Sequence, residues 1–299
     1  MSPRISIIIV NYNSHQVLGP CLDSIYKHVS GVSYEIIVVD NASEAGSVAL
    51  LQQKYPEVKF ILNKENPGFG AANNIGAQEA QGDYLFFLNP DTLLLDNAVF
   101  QFFDFLENQK REVVSCGGNL VRSEGVATTA YGNFPSVLQE FGDMGFRRFF
   151  PKYYDKYLKI GKKVEEQVEP FRVPYLVGAD IFIRKEAFLE AGGFDDVFFL
   201  YYEETDLFYR LHQKGYASYI LPKVKIVHLE GPSLMRDGRL DMSKWMVWEK
   251  SKYHYFRKNK GFLTVLLVKK LQLISLVFHY FFGRTKYPLG KALGITWRA

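Results

Sequence analysis

Hydrophobic and polar positions fall in repeating blocks along the first third of the chain. Ser6–Val10 is a short, β-branched apolar run that stops at Asn11-Tyr12-Asn13-Ser14. A run of that length, bounded by turn residues, predicts a strand buried on both faces. Helical spacing follows at Val17, Leu18, Cys21, Leu22 and Ile25. The block repeats: Tyr34–Val39 ends at Asp40-Asn41-Ala42-Ser43, a helix runs to about Tyr55, and Val58–Leu62 ends at Asn63. A glycine-rich loop, Asn66–Gly76, then leads into a helix. Tyr84–Leu88 is a fourth strand, ending at Asn89-Pro90-Asp91 because Pro90 has no N–H for a sheet ladder. Val99, Phe102, Phe103 and Leu106 mark the next helix, and Val113–Cys116 a fifth strand.

Strand and helix alternate to residue 117, with connections too long for hairpins. That predicts an α/β fold with a doubly wound, mostly parallel sheet. In such a sheet the polar strand ends (Asn11 and Asn13, Asp40 and Asn41, Asn63, Asp91) emerge at one edge, where open α/β sheets bind ligands. Asp91, held there by a rigid strand, suits a divalent metal, although Asn-Pro-Asp is also ordinary turn chemistry.

Beyond residue 117 the pattern loosens. Residues 119–172 read as an insertion near the acceptor side, and Phe146–Lys163 within it is basic and aromatic. Order returns at Val173–Val177 and Ala179–Arg184. Gly192–Asp195 is a turn, and Glu203-Glu204-Thr205-Asp206 opens a helix through Lys214. Acids in a first helical turn are also what the helix dipole favours. Ala217–Leu221 and Val224–His228 are predicted strands, with His228 closing the second. Asp180 is placed either to touch an acceptor or to be a plain strand-edge acid.

Composition changes the picture in two ways. The chain has 299 residues, 47% of them hydrophobic, enough for a full core, and its two cysteines, Cys21 and Cys116, lie in apolar segments as core residues would. Ile5–Val10 is too short for a signal-peptide core, so a cytoplasmic location is expected. Net charge is only +4, but from Lys244 onward twelve Lys/Arg face one acid, Glu249, a net +11 that leaves the preceding body at −7. Such asymmetry suggests an anionic surface as partner. The loop Gly68–Asn73 does not read as a dinucleotide fingerprint: the third glycine is missing and the loop follows the third strand.

Taken in order, Ile8–Asn13, Val38–Ser43, Asn66–Asn73, Leu88–Asp91, Gly192–Asp195, Tyr202–Asp206 and Val227-His228 resemble the nucleotide-sugar-dependent glycosyltransferases of family 2, which have the GT-A fold. The ordered set covers roughly residues 4–230, and the branch it resembles is the bacterial rhamnosyltransferase-like enzymes of cell-surface polysaccharide assembly. The resemblance implies an inverting transfer from a nucleoside-diphosphate sugar (dTDP-rhamnose or a UDP-sugar) to a lipid-linked glycan acceptor. It implies that Asp40 binds the nucleobase or ribose near Asn11, Tyr12, Asn13 and Asn41. Gly68, Phe69, Gly70 and Asn73 would line the phosphates and sugar. Asp91 would be the remaining carboxylate of the family's Asp-x-Asp motif, with Asn89 in the other position, and His228 would complete a Mn²⁺ or Mg²⁺ site. Gly178, Ala179 and Asp180 would lie toward the acceptor. Glu204 aligns with the family's base, with Asp206 and then Glu203 as alternatives. The chemistry is consistent: a hard cation takes one or two carboxylates plus phosphate oxygens, Mn²⁺ accepts imidazole, and an inverting displacement needs one base. The rival reading is a non-catalytic nucleotide-sugar and membrane-binding module of the same fold.

The catalytic domain is expected at 1–242 and a basic amphipathic helical tail at 243–299. Within residues 262–281, thirteen Leu, Ile, Val and Phe contribute roughly −6 kcal/mol toward insertion, which Lys269 and Lys270 cancel at about +2.5 to +3.5 kcal/mol each. Lys269, Gln272, Ser275 and His279 share one helical face; Leu267, Leu271, Ile274 and Phe278 share the opposite one. A helix lying in the inner membrane interface is therefore expected, without nucleic acid as a partner. The alternative is packing on the catalytic domain or on a second subunit, as in a homodimer.

Overall fold

The computed structural model describes residues 2–44, 46–158, 164–229, 235–236, 239–282 and 288–299. The end of the basic, aromatic stretch expected to residue 163, at 159–163, and residues 283–287 within the expected tail lie outside the described residues. The chain forms two compact units. One comprises Met1–Gly132, Gly161–Val197 and Glu203–Glu230, and the other Asn133–Ile160, Phe198–Tyr202 and Gly231–Ala299. The tail thus groups with part of the expected insertion and with a five-residue segment, where the sequence suggested a single cut near residue 242.

The first unit holds the expected alternation. β1 (Ile5–Asn11), α1 (His15–His28), β2 (Tyr34–Asp40), α2 (Ala49–Lys54), β3 (Lys59–Leu62), α3 (Phe69–Glu79) and β4 (Tyr84–Leu88) follow one another. Next come β5 (Thr92–Leu94), α4 (Ala98–Glu107) and β6 (Val113–Val121). In the sheet the order is β3-β2-β1-β4, all parallel. Every residue of β1 and of β4 is buried, as continuous apolar runs require. Both faces of β4 carry aromatic packing: Phe86 meets Phe182 of the neighbouring strand at 5.9 Å and Phe87 meets Phe188 at 5.0 Å between ring centroids. Each such ring contributes about 1.5–3 kcal/mol by burial.

Past β4 the sheet departs from a simple parallel winding. β7 (Tyr131–Gly132), β8 (Phe171–Val173) and β9 (Tyr175–Leu176) are short. β10 (Asp180–Arg184) inserts antiparallel between β4 and β6. α7 (Lys185–Glu190) and α8 (Glu203–Gln213) precede β11 (Ala217–His228), which runs parallel to β6 and takes β5 antiparallel on its other side. The two strands expected at 217–221 and 224–228 are one strand whose register shifts between Leu221 and Lys225, around Pro222. β6 runs past its expected end through Gly117 and Gly118. A Cβ on Gly117 would lie 2.8 Å from Asp180 O, and one on Gly118 would lie 2.8 Å from Val224 O. These glycines allow close backbone approach rather than ending the strand.

In the second unit α5 (Val137–Asp143) and the one-turn α6 (Pro151–Tyr153) accompany three helices, α9 (Met242–Lys260), α10 (Phe262–Phe281) and α11 (Leu289–Arg298). Trp245, Leu276, Ala292 and Ile295 form their shared core. A buried ion group sits among them. Lys252 Nζ lies 2.7 Å from Glu249 Oε1 and 3.6 Å from Glu140 Oε2, and the Tyr253 hydroxyl donates to Glu249 Oε2 at 2.6 Å.

α10 is long and apolar enough to cross a membrane by length and composition. Its packed stripe is Val265, Val268, Ser275 and Leu276, so one polar-face residue is buried with three apolar ones. Ser275, on the polar face, is buried and donates to Met144 O at 3.0 Å, with His279 Nδ1 at 3.2 Å from its hydroxyl. Lys269 Nζ lies over the Tyr253 ring at 4.8 Å. Leu263, Leu266, Leu267, Ile274, Val277 and Phe281 are exposed.

Candidate functional site

All the sequence-predicted site residues lie in the first unit, at the carboxyl edge of β1, β2 and β4 or beside it. At the end of β1, Asn11 is fully buried and donates to Asp40 Oδ1 at 2.6 Å. Ser43 ties the same carboxylate down, its hydroxyl donating to Oδ1 at 2.6 Å and its N–H to Oδ2 at 3.0 Å. Asn13, at φ 52°, receives the Glu44 N–H on Oδ1 at 2.9 Å. Tyr12 is half exposed beside this network, an aromatic face available to a planar base. Asn41 is spent internally, donating to Gly68 O at 3.1 Å and accepting from Asn63 at 2.9 Å. It braces the glycine loop against two strand ends.

Gly68, at φ 98°, precedes the first turn of α3, where free backbone N–H groups favour phosphate. Gly70 is buried because its neighbours leave no room for a side chain: a Cβ would stand 3.0 Å from Phe194 Cβ and 3.3 Å from Glu203 Cβ. Phe69 stacks edge-on against Phe194 at 6.4 Å. Asn73 is buried and donates to Phe69 O at 3.1 Å, so it holds the turn.

The turn after β4 meets the end of β11 through strand pairing. His228 pairs with Thr92 across β5, and Leu229 N–H donates to Asp91 O at 2.9 Å. Asp91 Oδ1 consequently lies 3.4 Å from His228 Nε2, with both side chains partly accessible, and the Asn89 amide nitrogen stands 3.5 Å from the same imidazole nitrogen. Thr92 Oγ1 donates to Asn89 O at 2.7 Å and fixes the turn from within. Cys21 lies beneath, buried, with its thiol pushed up to about 12 by burial. Two cis donors about 2.1 Å from an octahedral cation sit about 3 Å apart, so the Asp91–His228 spacing fits a shared cation. Among the described residues no group of three or more His, Cys, Asp or Glu side chains converges. This donor pair would leave most of the coordination sphere to phosphate oxygens and water.

The acidic helix start separates its three carboxylates. Asp206 is fully buried and paired with Arg210 Nε at 2.8 Å; Arg210 in turn donates to Gly193 O at 2.7 Å and to Ala191 O. Glu203 is buried behind Gly70 with Oε2 unpartnered, and burial, then the Glu204 charge, push its carboxyl well above the usual range. Glu204 is half-buried as a residue, with its Oε2 enclosed and unpartnered. Burial raises it as well, opposed by backbone N–H groups of Glu204, Thr205 and Gly178. That last contact matters for placement: Gly178 approaches Glu204, while the adjacent Ala179 O accepts the Asn89 N–H at 3.0 Å.

Asp180 is not at the crevice surface. It is fully buried, Oδ2 accepts the Gly118 N–H at 2.5 Å, Oδ1 is unpartnered, and burial holds the carboxyl well above its usual range. The antiparallel insertion of β10 puts this residue between β4 and β6, which no local pattern announces. Two contributors were missed from sequence. Ser43 was legible, since a hydroxyl three residues after a strand-end Asp is a usual Asx-turn partner. Tyr175 was not: it is buried on β9 close to Glu204, in the space that Gly132 leaves by lacking a side chain.

Residues 6–192 match the family model described as Glycosyl transferase family 2. The N-acetylglucosaminyl-diphospho-decaprenol L-rhamnosyltransferase of Mycobacterium tuberculosis is 24% identical over 254 residues, 79% of this chain and 80% of that protein. The rhamnosyltransferase WbbL of Escherichia coli strain K12 is 27% identical over 285 residues, 91% of this chain and 98% of that one. Among solved structures, the mannosyltransferase PcManGT from Pyrobaculum calidifontis, in complex with GDP-Man and Mn²⁺, superposes with a TM-score of 0.56 at 16% identity, covering 100% of this chain and 80% of the other.

Proposed function

Because the chain belongs to glycosyl transferase family 2 and has its GT-A fold, we propose that this glycosyltransferase transfers rhamnose from dTDP-rhamnose, with inversion, to a lipid-linked sugar diphosphate in cell-surface polysaccharide synthesis. The observation that carries the reading is the approach of Asp91 Oδ1 to His228 Nε2 at 3.4 Å at the carboxyl edge of the sheet, set by the pairing of β5 with β11. Rhamnose and the lipid-linked acceptor are supported by the two rhamnosyltransferase relatives, one of them named for a decaprenol diphosphate.

Tyr12 and the Asp40–Ser43 network receive the nucleoside, and the α3 amino terminus receives the diphosphate. Asp91 and His228 would hold a divalent cation, which would supply positive charge to stabilise the departing diphosphate. Glu204 accepts the proton of the acceptor hydroxyl as that oxygen attacks the anomeric carbon opposite the diphosphate. The new C–O bond forms as the bond to the diphosphate breaks, and the nucleoside diphosphate leaves. The exposed apolar face of α10, flanked by the basic tail, rests in the inner membrane surface and keeps the enzyme near its acceptor.

Release of dTDP from dTDP-rhamnose, with a decaprenyl-diphosphate N-acetylglucosamine acceptor and Mn²⁺, tests the reading. Asp91→Ala abolishes turnover and the Mn²⁺-dependent thermal shift by dTDP while the unfolding transition persists. Full activity of Asp91→Ala would refute the metal site. A thermal response to other nucleotide sugars but not to dTDP-rhamnose would replace the donor.

A further inference from the structure

Residues 146–153 read Phe-Arg-Arg-Phe-Phe-Pro-Lys-Tyr, three bases and four aromatic rings without an acid. The proposed chemistry uses none of them. Arg147, Arg148, Phe149, Lys152 and Tyr153 are all exposed, Phe149 at 67%. Phe149 is nonetheless held, as the outer end of a row of rings. The Phe141 and Phe146 rings lie parallel at 4.3 Å between centroids, and Phe149 follows Phe146 at 6.2 Å. On the inner side Phe150 stands 6.1 Å from Phe141 and 6.3 Å from the buried Tyr154. Gly142 leaves the space that the Tyr154 ring fills, since a Cβ there would stand 2.5 Å from two of its carbons. Stacking of this kind fixes ring orientation, so Phe149 has little rotamer freedom left to lose on meeting a partner.

The same segment is packed on α10. Gly145, at φ 104°, turns the chain from α5 into the short turn Phe146–Phe149, and a Cβ on it would lie 3.0 Å from His279 Nε2. One residue earlier, Met144 O accepts the Ser275 hydroxyl at 3.0 Å. All these residues belong to one compact unit.

We propose that Phe146–Tyr153 is a second membrane contact beside α10, in which Phe149 and Tyr153 enter the headgroup layer and Arg147, Arg148 and Lys152 meet the phosphates of anionic phospholipids. Aromatic rings at the surface suit the bilayer interface, and cations beside them suit its negative charge. The Arg148 guanidinium lies over the Phe149 ring at 5.0 Å, so apolar ring and charged head form one amphipathic group. The apolar residues of α10 left exposed in the same unit favour the same partner. A second copy is disfavoured, because an isologous contact would set these cations against their own kind. The inference rests on the reading of α10 as a membrane contact.

The test is sedimentation of the full-length chain with vesicles of equimolar phosphatidylglycerol and phosphatidylcholine, and with phosphatidylcholine alone. No lipid-linked sugar is present, so binding reads the phospholipid and not an acceptor diphosphate. Arg148→Ala with Lys152→Ala weakens binding to the anionic vesicles about tenfold or more, each cation near such a surface being worth about a factor of five. It leaves binding to neutral vesicles and the melting temperature unchanged. Phe149→Ala weakens binding to both vesicle types at least about threefold, because burial of a ring does not depend on headgroup charge. A second readout uses Phe149→Cys carrying an environment-sensitive fluorophore, since Cys21 and Cys116 are buried; its emission shifts to the blue with anionic vesicles. Wild-type binding by the patch variants, or an unshifted label, overturns the proposal. So does loss of single-stranded RNA binding in those variants with vesicle binding intact, which would assign the patch to nucleic acid. Leu266→Asp with Ile274→Asp is run alongside. Wild-type sedimentation of that variant removes the α10 reading on which the patch rests, whereas its loss beside fully binding patch variants means that only the patch has failed.

Discussion

Replacing Glu204 with glutamine tests the assignment on which the mechanism turns. Glutamine keeps the shape and partial burial of the side chain but cannot take a proton. A positioned base contributes about 10²–10⁴-fold, which at about 1.36 kcal/mol per tenfold corresponds to about 2.7–5.4 kcal/mol in the barrier. Asp91, His228 and the α3 amino terminus are untouched, so donor KM should hold and the loss should fall on kcat. The assay is the initial rate of dTDP release across pH. Burial raises the Glu204 carboxyl, so the acid limb of kcat should lie above the ordinary glutamate value of about 4.3. Activity is lost as pH falls through that limb, because the protonated carboxyl cannot accept the acceptor's proton. A Glu204→Gln kcat within about tenfold of wild type, less than the smallest effect expected of a base, would refute the assignment.

Asp206→Asn should act on stability instead. It removes the anion from the Arg210 pair and costs about 2 kcal/mol as a lost charged hydrogen bond, seen as a melting temperature lower by about 4–8 °C for a domain of this size; unchanged melting would mean that the pair contributes nothing. Glu203→Gln should stabilise the protein in a pH-dependent way. The native Glu203 carboxyl is raised, so the native state holds its proton to higher pH than the unfolded chain, and wild-type stability declines as pH rises from about 4.3. The melting advantage of Glu203→Gln should therefore be near zero at about pH 4 and grow toward pH 8; an advantage independent of pH contradicts the burial argument. On α10, Leu266→Asp with Ile274→Asp alters exposed positions only. It should abolish sedimentation with anionic vesicles while melting is unchanged, and continued sedimentation would remove α10 as the membrane contact.

The sequence by itself determined the order of elements through β4, because a buried parallel strand is a continuous apolar run and its end is a polar turn. It also determined which edge collects Asn11, Asp40 and Asp91, since parallel strands must all end on one side. Asn89-Pro90-Asp91 was legible as a strand stop for the local reason that proline lacks an N–H. What met what was decided elsewhere. Asp91 lies beside His228 only because β5 pairs with β11 in the register that sets Thr92 against His228. Asp180 is a buried acid tied to Gly118 because β10 enters the sheet antiparallel between two parallel strands. The three carboxylates of Glu203–Asp206 are equivalent in a sequence window. Arg210, one helical turn on, takes Asp206 into an ion pair, and Gly70, from a distant position, leaves room for Glu203 to be buried behind it. For α10 the periodicity identified two faces, but not the packed stripe: Val265, Val268 and Leu276 are buried together with Ser275, whose hydroxyl reaches Met144 O, while Leu263, Leu266, Leu267 and Ile274 are left outside. Local pattern fixes periodicity and chain direction, which depend on neighbours in sequence. Partners depend on strand register and helix docking, which residues far apart in the chain settle together.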